Sequence, residues 1–242
     1  MLNLIRGEIY RLLHKKSMYI FFGSLAVGYF LLAFIRSGGF GEESVVTDAM
    51  NFFFFLPATA GGFLFSAIYT DDLNSKNLTA LTGFGMNKAK IVTAKFILAV
   101  LSGTIIFGLA PLFHCAVYAA LGCAANTGII MAVYAISIKF MLITLAFSAL
   151  SGIAVYGFQR TTFAIVLYIL LAFNVVGSLL AAALKPFVPN LAAHLMSGIT
   201  DRIFACVISG VLPVLPAAEY ILYTAIALSL SIMVFYLKEM EF

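Results

Sequence analysis

Residues 69–88 read YTDDLNSKNLTALTGFGMNK, a dense polar block in a chain that is otherwise almost uniformly apolar. Of the 242 residues, 63 % are hydrophobic and 10 % are charged, with 24 Phe, 11 Tyr and no Trp. A soluble domain carries roughly 25 % charged residues. With a mean hydropathy of +1.09, this chain has too few polar side chains to coat a globule in water. It reads as an all-α integral membrane protein in a single transmembrane domain, and the polar block marks where the chain leaves the bilayer.

A helix needs about 20 mostly apolar residues to cross the hydrocarbon core. Working outward from the block, runs of that kind cover 51–69 before it and 96–122 after it, then 17–35, 128–156, 162–184 and 217–237. The runs are continuous rather than alternating, which points to six helices and not to a barrel. The 128–156 window exceeds one upright crossing, so it is either tilted or begins outside the hydrocarbon.

Orientation follows from the basic residues. Arg6, Arg11, Lys15, Lys16, Lys76, Lys88, Lys90, Lys95, Arg160 and Lys238 fall on one side. Arg36, Lys139, Lys185 and Arg202 fall on the other, so ten of the 14 basic residues face one way. That bias places both termini in the cytoplasm of a multi-pass plasma-membrane protein, as in a bacterial cell. The basic start before an apolar run is also how a signal peptide begins. The run ends in F-I-R-S-G-G without a small-x-small cleavage site, so a retained first helix is expected. Ahead of it, Leu2, Ile5, Ile9, Leu12 and Leu13 recur at helical spacing, with Arg6, Glu8, Arg11 and Lys15 on other faces. Residues 1–16 are therefore expected to form an interfacial amphipathic helix; a basic flank that only sets topology is the alternative.

Enzymatic signatures are missing. The chain has no H-E-x-x-H and no C-x-x-C. Thr47 stands where a glutamate-type membrane protease built on Glu42-Glu43 would need Arg. Ala149-Leu150-Ser151-Gly152 lacks the first Gly of a serine motif. His14, His114 and His194 are far apart in sequence. Cys115, Cys123 and Cys206 read as small apolar residues. Neither S-G-G-F-G at 37–41 nor G-F-G at 83–85 is a phosphate-cradling G-x-x-x-x-G-K-[ST] loop. Any ATP with its Mg would be held by another chain, and this one is expected to bind no cofactor, metal or nucleic acid.

Candidate residues along a transport path are Phe52, Phe55, His114, Lys139 and Asn174. Each has a plainer reading: core packing for the phenylalanines, a bond to a neighbouring helix for His114, snorkelling for Lys139, and interhelical bonding for Asn174. A secondary carrier would show intramembrane charges or broken helices at matching places in two halves. No such repeat is visible.

In the block itself, Asp71 and Asp72 suit a helix start. A short helix over 71–82 is expected, with Leu78 and Leu81 on one face and Asn74, Lys76 and Asn77 elsewhere. Gly83 stops it, and a new helix begins near Met86. The element resembles one that docks in a groove on a soluble partner.

At residues 71–95, D-D-L-N-S-K-N-L-T-A-L-T-G-F-G-M-N-K-A-K-I-V-T-A-K, the chain resembles the corresponding loop of ABC-2-type permeases, the membrane subunits of type V ABC exporters. The matching parts are Asp71-Asp72, Lys76-Asn77, Leu78 to Leu81, Gly83 to Ile91, and Lys95. Asp stands in place of the commoner Glu, and Asn87-Lys88 stands where Arg is frequent. The resemblance implies a coupling helix between spans two and three, with Asp71, Asp72, Lys76, Asn77, Leu78, Leu81 and Gly83 as ATPase-coupling residues. It also implies a soluble ATPase partner, a second permease copy, and an outer re-entrant hairpin over 185–216, punctuated by Pro186, Pro189, Pro213 and Pro216. A loop lying on the lipid surface without a gating role is the alternative for that segment. The short chain is similar to exporters of phenol-soluble modulins and other amphipathic peptides, which makes peptide the expected cargo beside membrane lipid as a contact. Export of drugs or lipids, and a non-transporting immunity or sensor protein, stay open.

Overall fold

A computed structural model of the protein describes residues 2–36, 42–74, 77–123, 126–184, 187–188 and 190–238. Every regular element among the described residues is helical. Helix α1 is Leu2–Leu13 and α2 is Lys16–Arg36. The third rod, α3, runs through Ser44–Leu73 as one span of 30 residues. It contains two π turns, Pro57–Gly61 and Ser66–Thr70, and ends in the helical turn Asp71–Asn74. Then come α4 (Asn77–Gly83), α5 (Lys88–Ala120), α6 (Thr127–Phe158), α7 (Thr161–Ala172), α8 (Val175–Leu184), α9 (Leu191–His194), α10 (Met196–Ile208) and α11 (Val214–Leu237).

Among the described residues, five helices are long and apolar enough to cross a membrane: α2, α3, α5, α6 and α11. The sixth expected span, 162–184, is broken. Helices α7 and α8 meet at an angle of 66°. The break is at Asn174, whose φ of 55° lies in the left-handed region that ends a helix. Its amide stands so close to Gly177 that a Cβ there would fall 2.2 Å from the side-chain oxygen. Asn174 is thus a helix stop.

Helix α6 is the axle of the bundle and packs against α3, α5, α7, α10 and α11. In the most apolar window of α6, as of α3, 56 % is buried, against 11 % for α2. Helix α2 therefore leaves most of its apolar surface exposed, including Val27, Leu31 and Leu32. Close approach of α3 to α6 and α7 depends on Gly61. A Cβ there would fall 2.3 Å from the Tyr168 hydroxyl, which donates to the carbonyl of Pro57 at 2.9 Å. Pro57 lacks an N–H, and the Gly61 N–H reaches five residues back to Leu56 at 2.9 Å. The first π turn is how the rod passes its proline without breaking.

Rods α5 and α6 hold 33 and 32 residues, about 50 Å at 1.5 Å per residue, longer than a hydrocarbon core of about 30 Å. Side-chain oxygens cap both, from Asn87 onto Ala89 N at 2.8 Å and from Asn126 onto Ile129 N at 2.9 Å. Within the expected outer segment, α9 and α10 form a compact pair. Met196, Ile199 and Ile203 of α10 are buried where it packs on α6. Pro186 and Pro189 lie outside the described residues; Pro213 precedes α11 and Pro216 stands in its first turn. All three cysteines are free.

Candidate functional site

Among the described residues, two ion-pair clusters and one hydrogen-bonded cluster around His114 tie the bundle together. The first is at the end where α1, α4 and the α6–α7 turn meet. Helix α1 packs on α5 with Ile9 and Leu12 toward the core. Glu8 and Arg11, read from sequence as lying on other faces, join the packed side, while Leu13 is exposed. They meet Asp72 of α3 and Lys95 of α5 in a closed ring of alternating charge. Arg11 pairs with Glu8 at 2.7 Å and with Asp72; Lys95 pairs with Glu8 at 2.8 Å and with Asp72. The contacts of Lys95 are ion pairs by distance rather than directed hydrogen bonds. The Asp72 and Lys95 side chains are each 1 % exposed. Beside the ring, Lys15 pairs with Asp71. Three carboxylates and three cations cancel, which is what burial of so many charges requires.

The second π turn serves this ring. It directs the Asp71 N–H to the carbonyl of Ser66, five residues back. The next carbonyl, of Ala67, accepts from Arg11 at 3.1 Å. Asp71 and Asp72 therefore sit inside a helical run as ion-pair partners, not as caps of a new helix. Of the expected helix over 71–82, the described parts are helical: the turn Asp71–Asn74 continues α3, and 77–82 belong to α4. Lys76 lies outside the described residues.

Helix α4 hangs between α3 and α5. Leu78 is buried and Leu81 is half-buried against the core, so neither offers an open docking face. Asn77, Ala80 and Gly83 are exposed. The apolar group that does project is Phe84, 89 % exposed, followed by Gly85 with φ of 74°. Sequence reasoning passed over Phe84; the only available signal was a large apolar residue placed between two glycines in a polar block. The turn after it is pinned. Tyr236 donates to Asn87 Oδ1 at 2.6 Å, and Lys88 Nζ donates to the carbonyls of Phe235 and Lys238 at 2.8 and 3.0 Å. A lysine at these last carbonyls suits the negative end of the α11 dipole.

The cluster around His114 joins α2, α3 and α5. His114 is fully buried, with Nε2 3.0 Å from the Val45 carbonyl and Nδ1 against the Tyr29 hydroxyl. A carbonyl only accepts, so in a one-proton ring the hydrogen is on Nε2 and Tyr29 donates to Nδ1. Tyr118 stacks on His114 and donates to Asp48 at 2.6 Å. His114 thus ties three helices together.

The second charged cluster gathers α10 against α6 and α11. Lys139 pairs with Asp201 at 2.6 Å, its ammonium 5.3 and 5.4 Å from the Phe140 and Phe204 ring centres. It finds a protein counter-ion instead of snorkelling. Arg202 pairs with Glu219 of α11, which His194 approaches at 3.6 Å. Lys139 and Asn174 line one cavity of about 180 Å³. Of the phenylalanine run, Phe53 is core, Phe54 reaches this cavity, and Phe55 is exposed. Phe52 packs on Tyr29 and lines a separate apolar groove of about 340 Å³ between α2, α3 and α5. Successive helical residues are about 100° apart, so four rings in a row cannot make one wall. The structure therefore unites Lys139 and Asn174 and separates them from His114, Phe52 and Phe55.

No family model matches the chain, and no curated protein matches it. Among the described residues, no group of His, Cys, Asp and Glu is arranged to hold a metal ion.

Proposed function

We propose that this protein is the membrane subunit of an ATP-driven exporter of amphipathic or hydrophobic peptides. The observation that carries the reading is the mechanical arrangement around α4. An exposed phenylalanine sits on a short turn joined at one side to α3 and at the other to α5. A buried ion-pair ring locks those two rods to α1. Force applied at Phe84 would pass through α4 and the turn at Gly85 into the spans on either side. A soluble ATPase subunit, holding ATP and Mg itself, would seat on Phe84, Asn77 and Ala80 at the cytoplasmic surface. The largely unburied apolar face of α2 supports contact with lipid and with a second copy across the cargo pathway.

Purification from native membranes in mild detergent, followed by mass spectrometry, tests this. An ATPase chain is expected to co-purify with wild type and to be lost from Phe84→Asp while the variant stays folded and inserted. A folded wild type that retains no ATPase overturns the reading.

A further inference from the structure

The cavity of about 180 Å³ beneath α10 has one charged end and an apolar body. Phe140, Ile143 and Phe147 of α6 line the body, with Asn174 among the lining residues; the Lys139–Asp201 pair makes the charged end. Lys139 and Asp201 are unequally committed to each other. The Lys139 side chain is 14 % exposed and enclosed by Phe140 and Phe204, while that of Asp201 is 61 % exposed. A cation held among apolar groups needs an anion beside it at all times. An exposed carboxylate loses little by moving into water. The pair is therefore asymmetric: Asp201 can leave, provided another carboxylate arrives.

We infer that this cavity is a subsite for an apolar carboxylate, whose anionic end displaces Asp201 from Lys139 while its apolar group fills the space against Phe140 and Phe147. A cavity of about 150 Å³ accommodates benzene. The space here thus suits one phenyl- or isobutyl-sized group, the scale of a single C-terminal residue. Asn174, at the break between α7 and α8, also lines the cavity. The carboxylate can belong to the C-terminus of a peptide or to a free fatty acid; the first source rests on the export reading, while binding itself does not.

The test is calorimetric titration of the purified full chain in detergent, without ATPase. The probes are N-acetyl-Ile-Phe with a free carboxylate, its C-terminal amide, and decanoate. Wild type is expected to bind the free acid at least tenfold more tightly than the amide. Lys139→Met removes that preference. Asp201→Asn, which deletes the competitor, tightens the acid at least threefold and leaves the amide unchanged. A residue that only held the fold would not produce that opposite sign. Should either variant fail to fold, the preference of wild type for the free acid over the amide carries the test alone. Equal binding of acid and amide by wild type, absence of binding by the acid and by decanoate, or weaker acid binding by Asp201→Asn overturns the inference. Tighter binding of the peptide acid than of decanoate assigns the site to a peptide terminus, and the reverse order to a fatty acid. Loss of this site with an ATPase still co-purifying leaves the export reading standing. Binding without any ATPase does the converse.

Discussion

The ion-pair ring of Glu8, Arg11, Asp72 and Lys95 and the Lys139–Asp201 pair are built from the same chemical groups, yet their surroundings give them different uses. In the ring, Asp72 and Lys95 are almost wholly out of water and each touches two opposite charges. Neither can be released singly, because its partners would be left buried and uncompensated. At the opposite cluster, one member of the pair is held among aromatic rings and the other stands largely in solvent. That pair can open at one side. The first arrangement makes a rigid joint between α1, α3 and α5, and the second makes a releasable contact between α6 and α10.

Breaking the ring should have the largest effect. Asp72→Asn leaves Lys95 and Arg11 short of a counter-charge and is expected to cost about 3–5 kcal/mol, read as a loss of thermal stability in detergent. In that background Lys95→Met should cost less than it does alone, and a double-mutant cycle measures the difference. Tyr156→Phe sharpens the contrast from the other direction. The Tyr156 hydroxyl is buried with no hydrogen-bond partner among the described residues, against Tyr69 and Phe235 at the ring end of the bundle. Its removal is expected to raise stability by up to about 1 kcal/mol in the same melting experiment. Lys139→Met should cost less than about 1 kcal/mol, since Asp201 is left facing water. A loss as large as that of Asp72→Asn would abolish the distinction between the two clusters. The smallest effect is expected for Arg202→Gln at the part-exposed Arg202–Glu219 pair: a slight fall in melting temperature that disappears in 1 M salt, where the screening length is about 3 Å.

Legibility in the sequence followed the range of the forces involved. The apolar runs for α2, α3, α5, α6 and α11 were readable because crossing a bilayer imposes a length and a composition on contiguous residues. Their ends were read less well. Helix α3 continues past the expected limit at residue 69, because Asp71 and Asp72 stay helical once Arg11, Lys15 and Lys95 neutralise them. The break at Asn174 left no proline as a warning; a single left-handed residue and a glycine three positions on were enough. Of the candidate site residues, Leu78 appeared available for docking because its spacing with Leu81 marks an apolar face. Spacing alone does not say whether such a face meets a partner chain or its own bundle, and here it meets the bundle.

By itself, the sequence determined that this is a helical, multi-pass, membrane-type chain with one polar block between its second and third spans. Those properties belong to contiguous residues and to the solvent they require. Only the tertiary structure decided which charges meet. Glu8, Asp72 and Lys95 are far apart along the chain, as are Lys139 and Asp201, and neither pairing has a periodicity to announce it. The physical reason is that a charge removed from water needs an opposite charge within a few ångströms, and only the packing of the helices can bring one there.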